Sequence, residues 1–257
     1  MVDIREWAKA FPKTVKLYLS DPYLRWAKAK VLGIVRERGP KFYVVLNESI
    51  FHPRGGGQPS DVGFIKLGES VLEVRKVLDV GGVLAHYSRL VEGEEVGVGD
   101  VVSCELDWGL RYTVMKLHTA GHILDYAVQA VYGRAVDTLG AFHGLPNPYV
   151  EYVAEPPTQG MLREIEEVAN RVVQEGRPVR FLTVPKEELP KAVFNAPNLA
   201  RIPEANEYRV VVIEGVNGIP CTGTHVRNTK EVGRVSVTDV VRKGKYFRLH
   251  YTVENTQ

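Results

Sequence analysis

The sequence is poor in cysteine, in long apolar runs and in net charge. Its 257 residues include only two cysteines, which is too few for a disulfide framework and is typical of a reducing compartment. No apolar run approaches the length of a membrane span, and residues 1–11 lack the apolar core of a signal peptide. The formal net charge of +2 excludes a polycation that binds any nucleic acid through its overall field. We therefore expect a cytoplasmic protein with no membrane partner and with any nucleic-acid contact confined to a local patch.

The first hundred residues are rich in short β-prone runs separated by glycine and proline. These runs predict strands at 15–19, 30–35, 42–46, 71–77 and 101–106. Many short strands at such spacing are typical of a small β-barrel or a sandwich. We therefore assign residues 1–107 to an N-terminal β domain.

The hydrophobic period changes beyond this β domain. Apolar residues three and four apart predict an amphipathic helix over 111–132, and Gly133 suits the left-handed position after its last turn. The remaining predicted elements are a helix at 158–175 ended by Gly176, strands at 179–184 and 209–214, and a hairpin at 235–253. This order predicts an α+β domain over 108–257 in which helices pack on an antiparallel sheet.

Two histidines lie four residues apart on the first predicted helix, and a cysteine and a histidine lie four apart far downstream. His118 and His122 project from one helix face one turn apart, which lets both imidazoles reach one ion. Cys221 and His225 follow a predicted strand and form a second candidate pair. Either pair alone is more often ordinary polar or buried side chains, but both in one domain favour one Zn²⁺ per chain. Thr119 stands where zinc peptidases of the HExxH type need glutamate, so that chemistry is excluded.

Three segments carry a resemblance to a known family. MKLHTAGHIL at 115–124, PCTGTHV at 220–226 and GGGQPSDVG at 55–63 resemble the editing domain of alanyl-tRNA synthetase and its free-standing relatives, the AlaX proteins. The resemblance extends from about residue 16 to residue 253, and the glycine-rich segment together with the chain length is similar to the AlaX-M type. One departure is Thr222, where the family more often has glycine.

The resemblance implies a fold, a metal and a set of site residues. The fold is a small β-barrel domain followed by an editing domain of the threonyl/alanyl-tRNA synthetase type. In the family, the glutamine of the glycine-rich segment lies near the metal, and a threonine helps to select the substrate hydroxyl. The implied residues are the zinc ligands His118, His122, Cys221 and His225, the catalytic Gln58 and Thr138, and the substrate-binding Gly55, Gly56, Gly57 and Asp61.

The implied function is a trans-editing hydrolase that removes serine or glycine from the tRNA for alanine. A synthetase pocket sized for alanine cannot strongly exclude glycine, and it rejects an added hydroxyl by only on the order of a hundredfold. A second site must therefore remove these errors. Two alternatives remain open: a deacylase for another mischarged tRNA, and a zinc-stabilised tRNA-binding module without catalysis. The preference between serine and glycine and the oligomeric state also remain open.

The sequence allows two roles for the metal and offers three basic clusters for contact with tRNA. Four protein ligands describe a closed structural site, whereas metal catalysis needs an open position, which depends on whether His225 is a ligand. His143 lies near Thr138 in the chain and is a candidate for the pocket lining. The basic clusters that can contact tRNA are Lys28 with Lys30, Arg36 with Arg38 and Lys41, and Arg242 with Lys243, Lys245 and Arg248.

Overall fold

The computed structural model describes residues 3–199 and 202–254. The chain divides into two compact units, the first formed by Met1–Gly55 and Pro59–Tyr112 and the second by Gly56–Gln58 and Thr113–Gln257. The outer ends of the predicted domains 1–107 and 108–257 lie outside the described residues, and that division stays a prediction. No helix in the part of the chain that the structure describes is long and apolar enough to cross a membrane.

The first unit is built around a closed six-stranded barrel. Its elements are α1 (Ile4–Ala8), β1 (Val15–Lys16), β2 (Trp26–Arg38), β3 (Lys41–Leu46), β4 (Glu48–Ser49), β5 (Gly63–Leu67), β6 (Ser70–Val80), β7 (Val83–Glu92) and β8 (Val101–Leu106). The barrel has the strand order β2-β3-β7-β6-β5-β8, and antiparallel pairing of β8 with β2 closes it. The predicted N-terminal barrel is therefore confirmed.

Side-chain alternation explains why these segments form a barrel. Along β8, Val102, Cys104 and Leu106 are buried while their neighbours are more exposed, because successive side chains of a strand point to opposite faces. The buried set packs with side chains such as Val44 and Leu72 into one apolar cluster. Cys104 is thus a core residue of the first unit.

The second unit contains two sheets and the longer helices. The helix α2 (Trp108–Tyr132) begins in the first unit and belongs to the second from Thr113 onward. The other elements are β9 (Thr138–Phe142), β10 (Tyr149–Tyr152), α3 (Gln159–Glu175), β11 (Val179–Pro185), α4 (Leu189–Ala192), β12 (Glu207–Ile213), β13 (Asn217–Pro220), β14 (Val235–Lys243) and β15 (Tyr246–Val253). One sheet has the order β14-β15-β10-β9 and the other β11-β12-β13, and every pairing is antiparallel.

Both long helices are tied to the four-stranded sheet. The hydroxyl of Tyr251 on β15 donates to the carbonyl of Leu117 on α2 at 2.9 Å. The side chain of Asn170 on α3 bonds both the N–H and the carbonyl of Val235 at the start of β14. These contacts confirm the predicted helix-on-antiparallel-sheet architecture. The helix ends also agree with the sequence, since Gly133 and Gly176 both adopt positive φ, at 63° and 66°.

Candidate functional site

Four side chains that are far apart in the sequence form one compact donor set. His118 and His122 come from α2, whereas Cys221 and His225 come from the loop after β13. One donor atom from each of these residues lies within 4.8 Å of the other three. The Sγ of Cys221 is 3.6 Å from Nε2 of His118 and 3.4 Å from Nε2 of His225. These four side chains can hold a metal ion.

Hydrogen bonding fixes the proton of the His225 imidazole. The hydroxyl of Thr119 donates to the carbonyl of Met115 at 2.9 Å, so its oxygen must accept from Nδ1 of His225 at 3.1 Å. The proton of His225 is therefore on Nδ1, and Nε2 presents a lone pair towards Cys221. A histidine that binds a metal through Nε2 needs this tautomer.

The His118 imidazole is held in the same way by Gln58. The N–H of Thr224 donates to Oε1 of Gln58 at 2.9 Å, while Nε2 of Gln58 donates to the Thr224 hydroxyl at 2.8 Å. These two bonds set the orientation of the amide, so Oε1 accepts from Nδ1 of His118 at 3.1 Å. Nε2 of His118 is consequently a lone-pair donor that faces Cys221.

Two glycines permit this close packing. A Cβ at Gly223 would lie 2.2 Å from Cε1 of His118, so no other residue fits there without moving the ring. A Cβ at Gly121 would lie 2.4 Å from Cε1 of His143, whose ring stacks on His118 with 4.3 Å between centroids. The departure at Thr222 is harmless to this packing, since Thr222 is exposed.

The electrostatics of the donor set suit a cation. Burial, with a contribution from the positive charge of Arg209, lowers the pKa of His122 to about 3, so its imidazole is neutral at pH 7. Nδ1 of His122 is buried and has no hydrogen-bond partner within the described ranges. Burial raises the pKa of the Cys221 thiol, while the N–H of Gly223 and the charge of Arg209 act in the opposite direction. A bound cation would add to that opposing effect, because it favours the thiolate.

The donor set opens onto a cavity of about 670 Å³. His118, His122 and Cys221 contribute to its wall, together with Thr138 and Asn198. Asn198 directs its amide N–H to both the hydroxyl and the carbonyl of Thr138. Thr138, predicted as the hydroxyl-selecting residue, therefore lies in the wall of the same cavity with its side chain oriented by a neighbour.

The predicted glycine-rich segment divides between the two units. Gly56 and Gly57 line the cavity, and the carbonyl of Gly57 accepts from the N–H of His143 at 2.8 Å. Gly55 is exposed and belongs to the first unit. Gln58 is 1% exposed and is not among the described residues that line the cavity. Its contacts are those of a residue that positions His118.

Asp61, predicted as a substrate-binding residue, takes part in a buried ion pair of the first unit. Both of its carboxylate oxygens accept from the guanidinium of Arg111, and Oδ2 also accepts from the N–H of His52. The same guanidinium donates to the carbonyls of Pro22 and Ile50 at 2.8 and 2.7 Å. The Asp61 carboxylate is 4% exposed, so its donors come from the protein.

The predicted tRNA-contacting clusters are partly neutralised by acids. Arg36, Arg242 and Arg248 form ion pairs with Glu95, Glu155 and Glu151, respectively. The lysines and Arg38 of these clusters are exposed, as their role requires. Contact with tRNA stays a prediction for all of them.

Several residues that line the cavity were not singled out by the sequence pattern. Asp125 follows His122 by three positions on α2, so the helical period itself would have placed it on the same face. Arg209 lies on β12 and donates to the carbonyls of Cys221 and Gly223 at 2.8 and 3.0 Å. No spacing in the sequence links Arg209 or Asn198 to this site.

Two family models match parts of the chain. The model for class II (A) tRNA synthetases matches residues 24–110. The model for the second additional domain of threonyl and alanyl tRNA synthetases matches residues 208–248, which include Cys221 and His225.

Similar proteins cover most of the chain. Alanine–tRNA ligases of Ignicoccus hospitalis and Pyrobaculum aerophilum are 36% and 35% identical over 91% and 90% of it. The chain spans about a quarter of the length of these ligases. The alanyl-tRNA editing protein AlaX-M of Methanosarcina acetivorans is 32% identical over 93% of the chain and 98% of that protein. The chain belongs to the AlaX-M family. As an AlaX-M family member, the chain matches that relative over nearly the relative's whole length. The matched part of the chain includes the barrel and both pairs of the donor set.

Proposed function

We propose that this AlaX-M family member hydrolyses the ester that joins serine or glycine to the tRNA for alanine. The observation that carries the proposal is the set formed by His118, His122, Cys221 and His225, of which all but His225 line a cavity that Thr138 also lines. The length match to an alanyl-tRNA editing protein supports it. The proposed partner is therefore mischarged tRNA, acted on in the cytoplasm.

We infer that the metal is one Zn²⁺ per chain. A tetrahedral zinc with bonds of about 2.3 Å to sulfur and 2.0–2.1 Å to nitrogen separates those donors by about 3.6 Å. The distances from Cys221 Sγ to the imidazoles of His118 and His225, 3.6 and 3.4 Å, support this geometry. One thiolate with three neutral imidazoles is also a donor set that suits zinc.

The protein residues have separate tasks in the proposed reaction. If held by these four residues, a zinc ion would join α2 to the loop after β13. Its positive charge beside the cavity would favour charge development on an ester carbonyl. Gln58 and Thr119 hold the imidazoles of His118 and His225 in the ligating tautomer. Thr138, oriented by Asn198, presents its hydroxyl to the amino-acid side chain. The ester is already reactive, so positioning accounts for much of the rate.

The test of this function is a comparison of esters. Release of serine, glycine and alanine is measured from the tRNA for alanine, and release of serine from the tRNA for threonine. Serine or glycine should leave at least tenfold faster than alanine, because the error must be removed while the correct product is spared. Preferential release of serine from the tRNA for threonine would instead identify another deacylase. No release of any amino acid would leave only the binding module.

Thr138→Val is expected to slow the release of serine more than that of glycine. Valine keeps the shape of threonine but leaves the serine hydroxyl without its partner, which costs about 1–3 kcal/mol. Single-turnover rates on seryl-tRNA should therefore fall about 5- to 150-fold, whereas the rate on glycyl-tRNA should change little.

Thr222→Val is the matched control, because Thr222 also lines the cavity but is exposed. It should leave the ratio of the serine rate to the glycine rate unchanged. Equal losses on both substrates in Thr138→Val would show that Thr138 supports the cavity wall rather than selecting a hydroxyl.

A further inference from the structure

Asp125 is a buried acid in the cavity wall that the donor set does not use. It lies on α2 one turn after His122, is 8% exposed and lines the same cavity. The phenol of Tyr152 donates to its Oδ1 at 3.0 Å. Within residues 3–199 and 202–254, Asp125 forms no ion pair. A buried carboxylate that is not paired with a cation is costly, so a cationic ligand in this cavity would stabilise its charged form.

The pKa of Asp125 shows that a cation in the cavity would stabilise its carboxylate form. Burial raises the pKa of Asp125 to about 7, and the bond from Tyr152 opposes this shift only in part. A negative charge on Asp125 in turn raises the pKa of the Cys221 thiol, so the acid lies within electrostatic reach of the donor set. The guanidinium of Arg209, also in the cavity wall, is directed at the carbonyls of Cys221 and Gly223.

We propose that Asp125 binds the α-ammonium group of the amino acid attached to the tRNA. This inference rests on the proposed function and names the part of the substrate that the acid recognises. The seryl, glycyl and alanyl esters each carry one cationic group, an α-ammonium on the carbon next to the ester carbonyl. In model peptides the pKa of an α-amino group is about 7.7–8.0. A carboxylate beside the donor set can therefore hold the ammonium while the carbonyl faces the metal side of the cavity.

Recognition of a free α-ammonium would also define which esters are spared. An ester whose α-nitrogen is acylated, as in a growing peptide, has no cation and would leave the Asp125 charge uncompensated in the cavity. The site would thus reject peptidyl esters of the same tRNA. A structural role would not need the charge, because the amide oxygen of asparagine can accept the bond from Tyr152 equally well.

The test measures binding to two non-hydrolysable ligands by calorimetry with the full zinc-loaded chain. One is 3′-deoxyadenosine with serine joined through a 3′-amide, and the other has a hydroxyl in place of the α-amine. Wild type should bind the ammonium compound more tightly. In Asp125→Asn, affinity for the ammonium compound should fall about 10- to 100-fold, while affinity for the hydroxy compound stays within about twofold. Tyr152→Phe is the matched control, since it removes the phenol but keeps the carboxylate, and it should retain the preference for the ammonium compound.

The outcomes separate this inference from the proposed function. Equal weakening for both ligands in Asp125→Asn, loss of zinc from that variant, or no binding of either ligand by wild type would overturn the role of Asp125. If the charge-dependent preference is found but wild type releases no amino acid from any tRNA, Asp125 is an ammonium site and the editing activity is refuted. If wild type edits but Asp125→Asn keeps its preference, only this inference fails.

Discussion

Cys221→Ala is expected to empty the metal site and to lower the single-turnover rate on seryl-tRNA by up to about a thousandfold. The substitution removes the one sulfur donor and leaves His118 and His225 facing a gap where Sγ now lies 3.6 and 3.4 Å away. A metal ion held by all four residues would act through its positive charge beside the cavity and by fixing the loop after β13 against α2. Loss of such stabilisation typically costs up to about 4 kcal/mol, and each 1.36 kcal/mol is a factor of ten in rate. Metal content by mass spectrometry and the rate constant should fall together.

Cys104→Ala is the matched control, because it removes the other thiol of the chain, which is buried in the apolar cluster of the first unit. That variant should keep its metal, and its rate should remain within a few fold of wild type. If Cys221→Ala lost its metal but kept a wild-type rate, the metal would have no part in the reaction.

Asp61→Ala is expected to lower the free energy of unfolding of the first unit by about 3–5 kcal/mol. The variant leaves the fully buried guanidinium of Arg111 without its counter-charge, and removal of one member of a buried ion pair has a cost of this size. Urea unfolding followed by circular dichroism would measure the loss. The exposed pair of Glu73 with Arg75 provides the comparison, since Glu73→Ala should cost at most about 1 kcal/mol.

Asp61→Ala also distinguishes a role of Asp61 in stability from its predicted role in substrate binding. At a temperature where Asp61→Ala remains folded, kcat/KM on seryl-tRNA should stay near the wild-type value. Unchanged stability together with a raised KM would support the prediction that Asp61 binds substrate. The resemblance implied a contact with substrate because Asp61 lies within the glycine-rich segment, whereas the ion pair depends on Arg111, fifty positions away.

Local periodicity accounts for the elements that could be predicted. The three- and four-residue spacing of α2 and the alternation of β8 follow directly from how helices and strands expose their faces. The prediction missed β5, which has only five residues, and β7, whose first four residues are all buried and so show no alternation. Residues 17–19, predicted as strand, form a 3-10 turn after the two-residue β1.

The site was predictable only where its residues have a fixed spacing. His118 and His122 lie one helical turn apart, so their spacing in the sequence predicts the ligand pair. In the sequence, only its closeness to Thr138 suggested His143. In the structure, His143 packs against His118 in the space left by Gly121, and its Nδ1 lies 2.7 Å from the hydroxyl of Tyr251. Such contacts depend on tertiary packing between distant segments, which no local pattern encodes.

X-ray absorption at the zinc edge, measured on purified protein of known metal content, identifies the ligands of the metal. We predict one zinc per chain with one sulfur at about 2.3 Å and three nitrogens at about 2.0–2.1 Å. Removal of Cys221 should abolish the sulfur signal. Protein that deacylates seryl-tRNA while containing no stoichiometric zinc, or zinc without a sulfur neighbour, would contradict the proposed metal site.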